Sequence, residues 1–179
     1  MLRRYNNFKI GKVLINKHQI RVAIKKLAKK INNIYDGTPI LLVSILKGSF
    51  VFLADLLREI KVPCQVAFMS AKSYYNSTTS SGEVKIELDI DCDIKNKKVV
   101  IVEDIVDTGR TLKEVCNILQ KREPKELQVV ALLDKPSGRA VNFTPNEVLF
   151  TIPNVFVIGY GLDCAEEYRN LPFIAEYKE

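Results

Sequence analysis

The sequence predicts an α/β fold in which a central, mostly parallel sheet is flanked by helices. Three observations carry that prediction. Apolar runs at residues 39–45, 97–102 and 127–133 are too uniformly apolar for strands with one wet face, so they read as strands covered on both sides. The first two pass through a short loop into a segment with helical apolar spacing. The chain of 179 residues fits one domain over residues 1–179, long enough to bury about 70% of its unfolded surface.

In order along the chain, residues 1–15 alternate weakly (Phe8, Ile10, Val13, Ile15) and suggest an early strand. Residues 16–35 form an amphipathic helix with Ile20, Ala23, Ile24, Leu27, Ile31 and Ile34 on one face. Asn16 and Gln19 have the spacing of a capping box, and Gly37 follows the end. Lys25, Lys26, Lys29 and Lys30 lie on the opposite face. Without interleaved arginine or aromatic residues they read as a solvated surface rather than a nucleic-acid site. His18, the only histidine, falls in the first turn as a surface residue, which excludes nucleophile–histidine–acid chemistry.

The strand at 39–45 ends in Leu46, Lys47, Gly48 and Ser49, and a helix begins near Phe50 with Ser49 as its expected N-cap. Residues 62–69 give a further strand. Residues 70–82 are polar and hydroxyl-rich, and residues 84–90 alternate again, so a hairpin with a long loop is expected; loops of that length inside a compact domain tend to be functional. Pro124 marks a break, and the strand from Leu127 delivers Asp134 and Lys135 to its carboxyl end. Residues 136–145 are turn-rich. Residues 154–173 combine Phe156, Val157 and Ile158 with two glycines around Tyr160, then Asp163 and Arg169.

The chemistry concentrates after the run at 97–102. Glu103, Asp104 and Asp107 lead into a Thr108-Gly109-Arg110-Thr111 turn and then a helix with Leu112, Val115, Ile118 and Leu119 on one face. Ligands of open α/β sheets bind beyond the carboxyl ends of the strands. A glycine turn at a helix N-terminus suits an anion, whereas the acids upstream suit sugar hydroxyls, a magnesium shell or a proton. This is no Walker A loop, because Asp104 stands at the first glycine position and Arg110 replaces the lysine.

Residues 103–111 resemble the phosphoribosyl pyrophosphate (PRPP) signature of type I phosphoribosyltransferases, and the acid spacing is similar to the hypoxanthine-guanine branch. Leu46-Lys47-Gly48, the hydroxyl-rich loop, Lys135 and the 156–169 segment match the same family in order. The resemblance implies the type I phosphoribosyltransferase fold, with a small hood from the N- and C-terminal segments and a mobile hairpin lid at about 70–86. It implies magnesium-dependent transfer of the 5-phosphoribosyl group from PRPP to N9 of a 6-oxopurine (hypoxanthine and guanine), giving IMP or GMP and pyrophosphate.

Residue by residue, the resemblance makes Asp107 the catalytic base. Thr108, Gly109, Arg110 and Thr111 seat the 5-phosphate, and Glu103 and Asp104 hold ribose hydroxyls and the metal shell. Lys47, Gly48 and Arg169 meet pyrophosphate, with the Leu46–Lys47 bond cis. Lys135 binds the 6-oxo group, Phe156 stacks on the purine, backbone at Val157 reads its edge, Asp163 holds magnesium, and Ser73 and Tyr74 close the lid. Arg110 is a local difference at a site where the family varies, in a loop that binds mainly through backbone amides, and Ser49 stands where a second glycine occurs. The family forms symmetric dimers and tetramers, so a homodimer or homotetramer is expected. A different base would share the central loop but differ around Lys135 and Phe156. A PRPP-sensing regulator would need a nucleic-acid surface, and no helix-turn-helix or arginine stripe is evident.

Composition agrees with a cytoplasmic enzyme of small molecules, with neither nucleic acid nor membrane as partner. The chain is 47% hydrophobic and 27% charged, with a net charge of +6 from scattered lysines. Cys64, Cys92, Cys116 and Cys164 are too dispersed for a disulfide framework or zinc site and read as reduced, mostly buried thiols. No apolar region follows Arg3 and Arg4 as in a signal peptide, and the run at 40–46 is too short to span a bilayer.

Overall fold

The computed structural model describes residues 9–74 and 83–178. Strand β1 (Ile10–Ile15) leads to helix α1 (Lys17–Ile34), then β2 (Ile40–Leu46) to α2 (Phe50–Glu59), and β3 (Cys64–Tyr74) pairs with β4 (Glu83–Leu88) as a hairpin. β5 (Lys98–Val106) runs into α3 (Arg110–Gln120), and β6 (Glu126–Asp134), β7 (Glu147–Thr151), β8 (Val157–Ile158) and β9 (Ile174–Tyr177) follow. The main sheet has the order β4-β3-β2-β5-β6-β7, parallel except for β4, and bears out the expected α/β class. A small antiparallel sheet, β1-β9-β8, is drawn from both ends of the chain.

Helices α1 and α2 cover one face of the main sheet through Ile20, Leu27, Phe52 and Leu56, packed on Leu42, Val100 and Val130. Helix α3 covers the other through Leu112, Val115 and Leu119, packed on Val43, Ile101 and Ala131. Neighbouring strand residues point to opposite faces, which is why one uninterrupted apolar run serves both cores. Among the described residues no helix is long and apolar enough to cross a membrane.

The capping box of α1 is present in both directions: Gln19 N–H donates to Asn16 Oδ1 at 3.0 Å, and Asn16 N–H to Gln19 Oε1 at 2.8 Å. His18, Lys25, Lys26, Lys29 and Lys30 of α1 are exposed, as expected. Four expectations need correction. Ile34 is 56% exposed, because Tyr35, one full turn beyond Ile31, continues the buried stripe in its place. Ser49 precedes α2 but does not cap it, since its hydroxyl turns inward to Ile45 O and Ser44 Oγ. The four cysteines are free but only half-buried, because each sits at the margin of a core. Glu103 and Asp104 lie inside β5 rather than after it, because pairing with β6 continues as far as Val106 and Asp134.

Candidate active site

β2 is followed in space by β3 on one side and β5 on the other, so the chain reverses its direction of winding between β2 and β5. At such a switch point the loops leaving two parallel strands diverge and open a crevice at their carboxyl ends. Here the crevice is a cavity of about 260 Å³ lined by Leu46, Lys47 and Gly48 at the end of β2 and by Glu103, Asp104, Asp107, Thr108, Gly109 and Thr111 around the end of β5. A larger groove of about 660 Å³ between α1, α2 and the C-terminal segment is lined by Arg169 and includes none of these loops.

The two walls touch. The Leu46–Lys47 peptide is cis, as the resemblance implies, and Gly48 lies so close to Asp104 that a Cβ there would overlap the carboxylate. Gly161, at φ +100°, brings the C-terminal segment against the Gly48 carbonyl. Arg169 is anchored by donating to Gly161 O at 2.8 Å and pairs with Asp163 at 2.9 Å. Glu166 bridges Arg169 at 3.2 Å and Lys47 at 3.1 Å, which holds its carboxyl below the usual range.

Glu103 and Asp104 project to opposite faces of β5. Burial pushes the Asp104 carboxyl up to about 6, against backbone hydrogen bonds and Arg169 that favour the charge. Burial, with the charge of Asp104, holds Glu103 well above the carboxylate range, and its Oε2 is buried without a hydrogen-bond partner. Burial, with Glu103 beside it, raises the thiol of Cys116 on α3 to about 12. Glu103 Oε2 lacks the donor or cation that a sugar hydroxyl or a metal would supply. Among the described residues no three His, Cys, Asp or Glu side chains form a ready-made metal cage. The neighbouring carboxylates of Asp104 and Asp163 suit magnesium, which takes oxygen ligands and keeps several from water and phosphate.

On the β6 side, Lys135 is only 7% exposed and its ammonium pairs with Asp107 at 2.9 Å. Gly109 ends the loop in the left-handed region at φ +78°, and α3 starts at Arg110, so Arg110 and Thr111 are first-turn residues where backbone amides face outward to an anion. Phe156 is 58% exposed, with its ring edge-on to Tyr177 at 5.8 Å, while Val157 is buried in β8. Ser73 and Tyr74 end β3. Their side chains, and residues 75–82 of the expected lid, lie outside the described residues.

Comparison with known proteins decides the family: the model of the phosphoribosyl transferase domain matches residues 13–165. The chain belongs to the phosphoribosyltransferase family. A hypoxanthine-guanine phosphoribosyltransferase of Streptococcus mutans serotype c is 44% identical over 170 residues, covering 95% of this chain and 94% of that one. A hypoxanthine phosphoribosyltransferase of Buchnera aphidicola is 45% identical, covering 92% and 94% of the two chains. In structure, a hypoxanthine phosphoribosyltransferase of Staphylococcus aureus superposes with a TM-score of 0.93 at 41% identity, over 99% of this chain and 96% of that one.

In this phosphoribosyltransferase the sequence-predicted residues thus gather as two groups: Lys47, Gly48, Asp104, Asp163 and Arg169 on one side, and Asp107 with Lys135 on the other. Sequence reasoning missed Glu166 and Arg139. Glu166 is one acid in an acidic pair, with nothing local to single it out. Arg139 lies in a turn-rich stretch and acts on residues about thirty positions earlier.

Proposed function

We propose that this phosphoribosyltransferase transfers the 5-phosphoribosyl group of PRPP to N9 of hypoxanthine or guanine, releasing pyrophosphate. The reading rests above all on the Lys135–Asp107 pair at the edge of the cavity that also contains the glycine turn before α3. A buried ammonium next to a carboxylate matches the adjacent 6-oxo acceptor and N7–H donor of a 6-oxopurine. An adenine amino group cannot accept from Lys135.

The amides around Thr108, Gly109, Arg110 and Thr111 hold the 5-phosphate, while Glu103 and Asp104 take ribose hydroxyls. Asp163, with Asp104 beside it, would hold magnesium, which would supply charge neutralisation on the pyrophosphate. Lys47 and Arg169 grip the leaving group as the C1–oxygen bond breaks and its electron pair departs with pyrophosphate. N9 bonds to C1 from the opposite face, and Asp107 accepts the proton lost from N7. Phe156 stacks on the purine, Val157 backbone reads its edge, and Ser73 and Tyr74 belong to the lid that excludes water. The active protein is a cytoplasmic homodimer or homotetramer formed from single-domain subunits.

Pyrophosphate release, measured with PRPP, magnesium and each free base in turn, tests the reading. Hypoxanthine and guanine should turn over while adenine and uracil do not. Turnover only with adenine or a pyrimidine would overturn it.

A further inference from the structure

We infer that Arg139 is a positioning residue for Asp107, holding the carboxylate where a purine N7 can reach it. The inference rests on Asp107 being the base proposed above. Arg139 Nη1 donates to the main-chain carbonyl of Asp107 at 2.6 Å. Its Nη2 pairs with Asp134, and the two side chains are only 16% and 13% exposed.

One planar fork therefore joins two strand ends. Asp134 is the last residue of β6 and lies opposite Val106, the last residue of β5 and the neighbour of Asp107. A guanidinium presents its donors in a fixed plane, so satisfying both acceptors sets the plane of the peptide after Asp107. With Lys135 N–H donating to Val106 O at 2.9 Å, the peptides on both sides of Asp107 are fixed, and with them its Cα–Cβ direction.

Residues 135–140 reinforce this grip. Pro136–Gly138 forms a 3-10 turn, and Gly138 stands so near Asp107 that a Cβ would overlap Oδ1. Ala140 N–H donates to Thr108 O at 3.0 Å. The half-exposed carboxylate thereby lies between the Lys135 ammonium and the Gly138 backbone. Asp134 neutralises Arg139, so the fork fixes geometry without setting a second uncompensated cation beside the base.

The test is a double-mutant cycle in steady-state kinetics with hypoxanthine and PRPP. Arg139→Gln keeps a hydrogen-bond donor but loses the fork. It should lower kcat by about 10- to 100-fold, the scale of a misplacement near 1 Å, with KM for PRPP within about twofold. In an Asp107→Asn background the same substitution should cost less than about threefold, because no base remains to be aimed. Arg139→Lys should recover part of the loss. Gly138→Ala, which displaces the carboxylate from its other side, should reproduce the kcat loss with an unchanged melting temperature, and serves if Arg139→Gln fails to fold. Equal losses in both backgrounds, with Asp107→Asn itself impaired, overturn the role of Arg139 alone. Normal turnover by Asp107→Asn overturns the assignment of the base as well.

Discussion

Asp104 offers a sharp test because it is expected to serve function at the expense of stability. Its carboxyl is held at about 6 in the fold against an ordinary 3.8. Below about pH 4 both folded and unfolded chains carry the proton and nothing is lost. Between about pH 4 and 6 the unfolded chain ionises first, so stability falls as pH rises. Above about 6 the penalty is constant, on the order of 3 kcal/mol. Asp104→Asn removes the charge and keeps the shape, and its amide oxygen can still accept from Ile105 N–H, a bond of 2.7 Å in the native protein. The variant should be more stable at pH 7 by up to about 3 kcal/mol, or roughly 6–12 °C in melting temperature for a chain of this size. The gain should vanish by about pH 4. Thermal unfolding followed by circular dichroism from pH 4 to 8, without substrate or metal, measures it. A variant less stable at pH 7, or a gain equally large at pH 4, would refute the claim that the buried charge is the cost. Activity should fall in the same variant, since the sugar loses an acceptor.

Three further outcomes are expected. Gly48→Ala should raise KM for PRPP by at least about tenfold in steady-state assays while the chain stays folded, because the new methyl displaces the Asp104 carboxylate from the crevice. Lys135→Ala should raise KM for the purine by about tenfold or more, the scale of a lost charged hydrogen bond, and leave KM for PRPP within about twofold. Glu166→Gln should make pyrophosphate a stronger product inhibitor, by about two- to threefold, because an exposed carboxylate no longer competes for Lys47 and Arg169.

Much of this was legible because it depends on neighbours in sequence. The Asn16–Gln19 cap needs only three residues of spacing, and the strand–turn–helix unit around Gly109 announces itself by a change of period. Short strands were harder. β7 (EVLFT) and β9 (IAEY) are short and mixed, and become strands only because β6 in one case, and β1 and β8 in the other, present unpaired edges. The acids at 103 and 104 argued for a loop, but hydrogen bonding to β6 outweighs the poor strand preference of acidic residues. Ser49 looks like a cap by position; burial at 0% exposure leaves its hydroxyl to find acceptors inside. Arg139 and Glu166 gain significance only from contacts made across the fold.

The position of β5 between β2 and β6 also predicts how the kinetics divide. Asp104 faces the cluster built by Gly48, Asp163, Gly161 and Arg169, whereas Asp107, three residues later, faces Lys135, Gly138 and Arg139 from the β6 side. The leaving-group grip and the purine grip thus hang from one strand but are supported by different neighbours. Substitutions at 48, 163 and 169 should act mainly on PRPP and pyrophosphate, and those at 135, 138 and 139 on the purine or on its deprotonation. Buried in the middle of the sheet, β5 is the element least free to let the two groups drift apart. If single substitutions in either group weakened PRPP and purine binding equally, the crevice would be one undivided pocket and this account of β5 would fail.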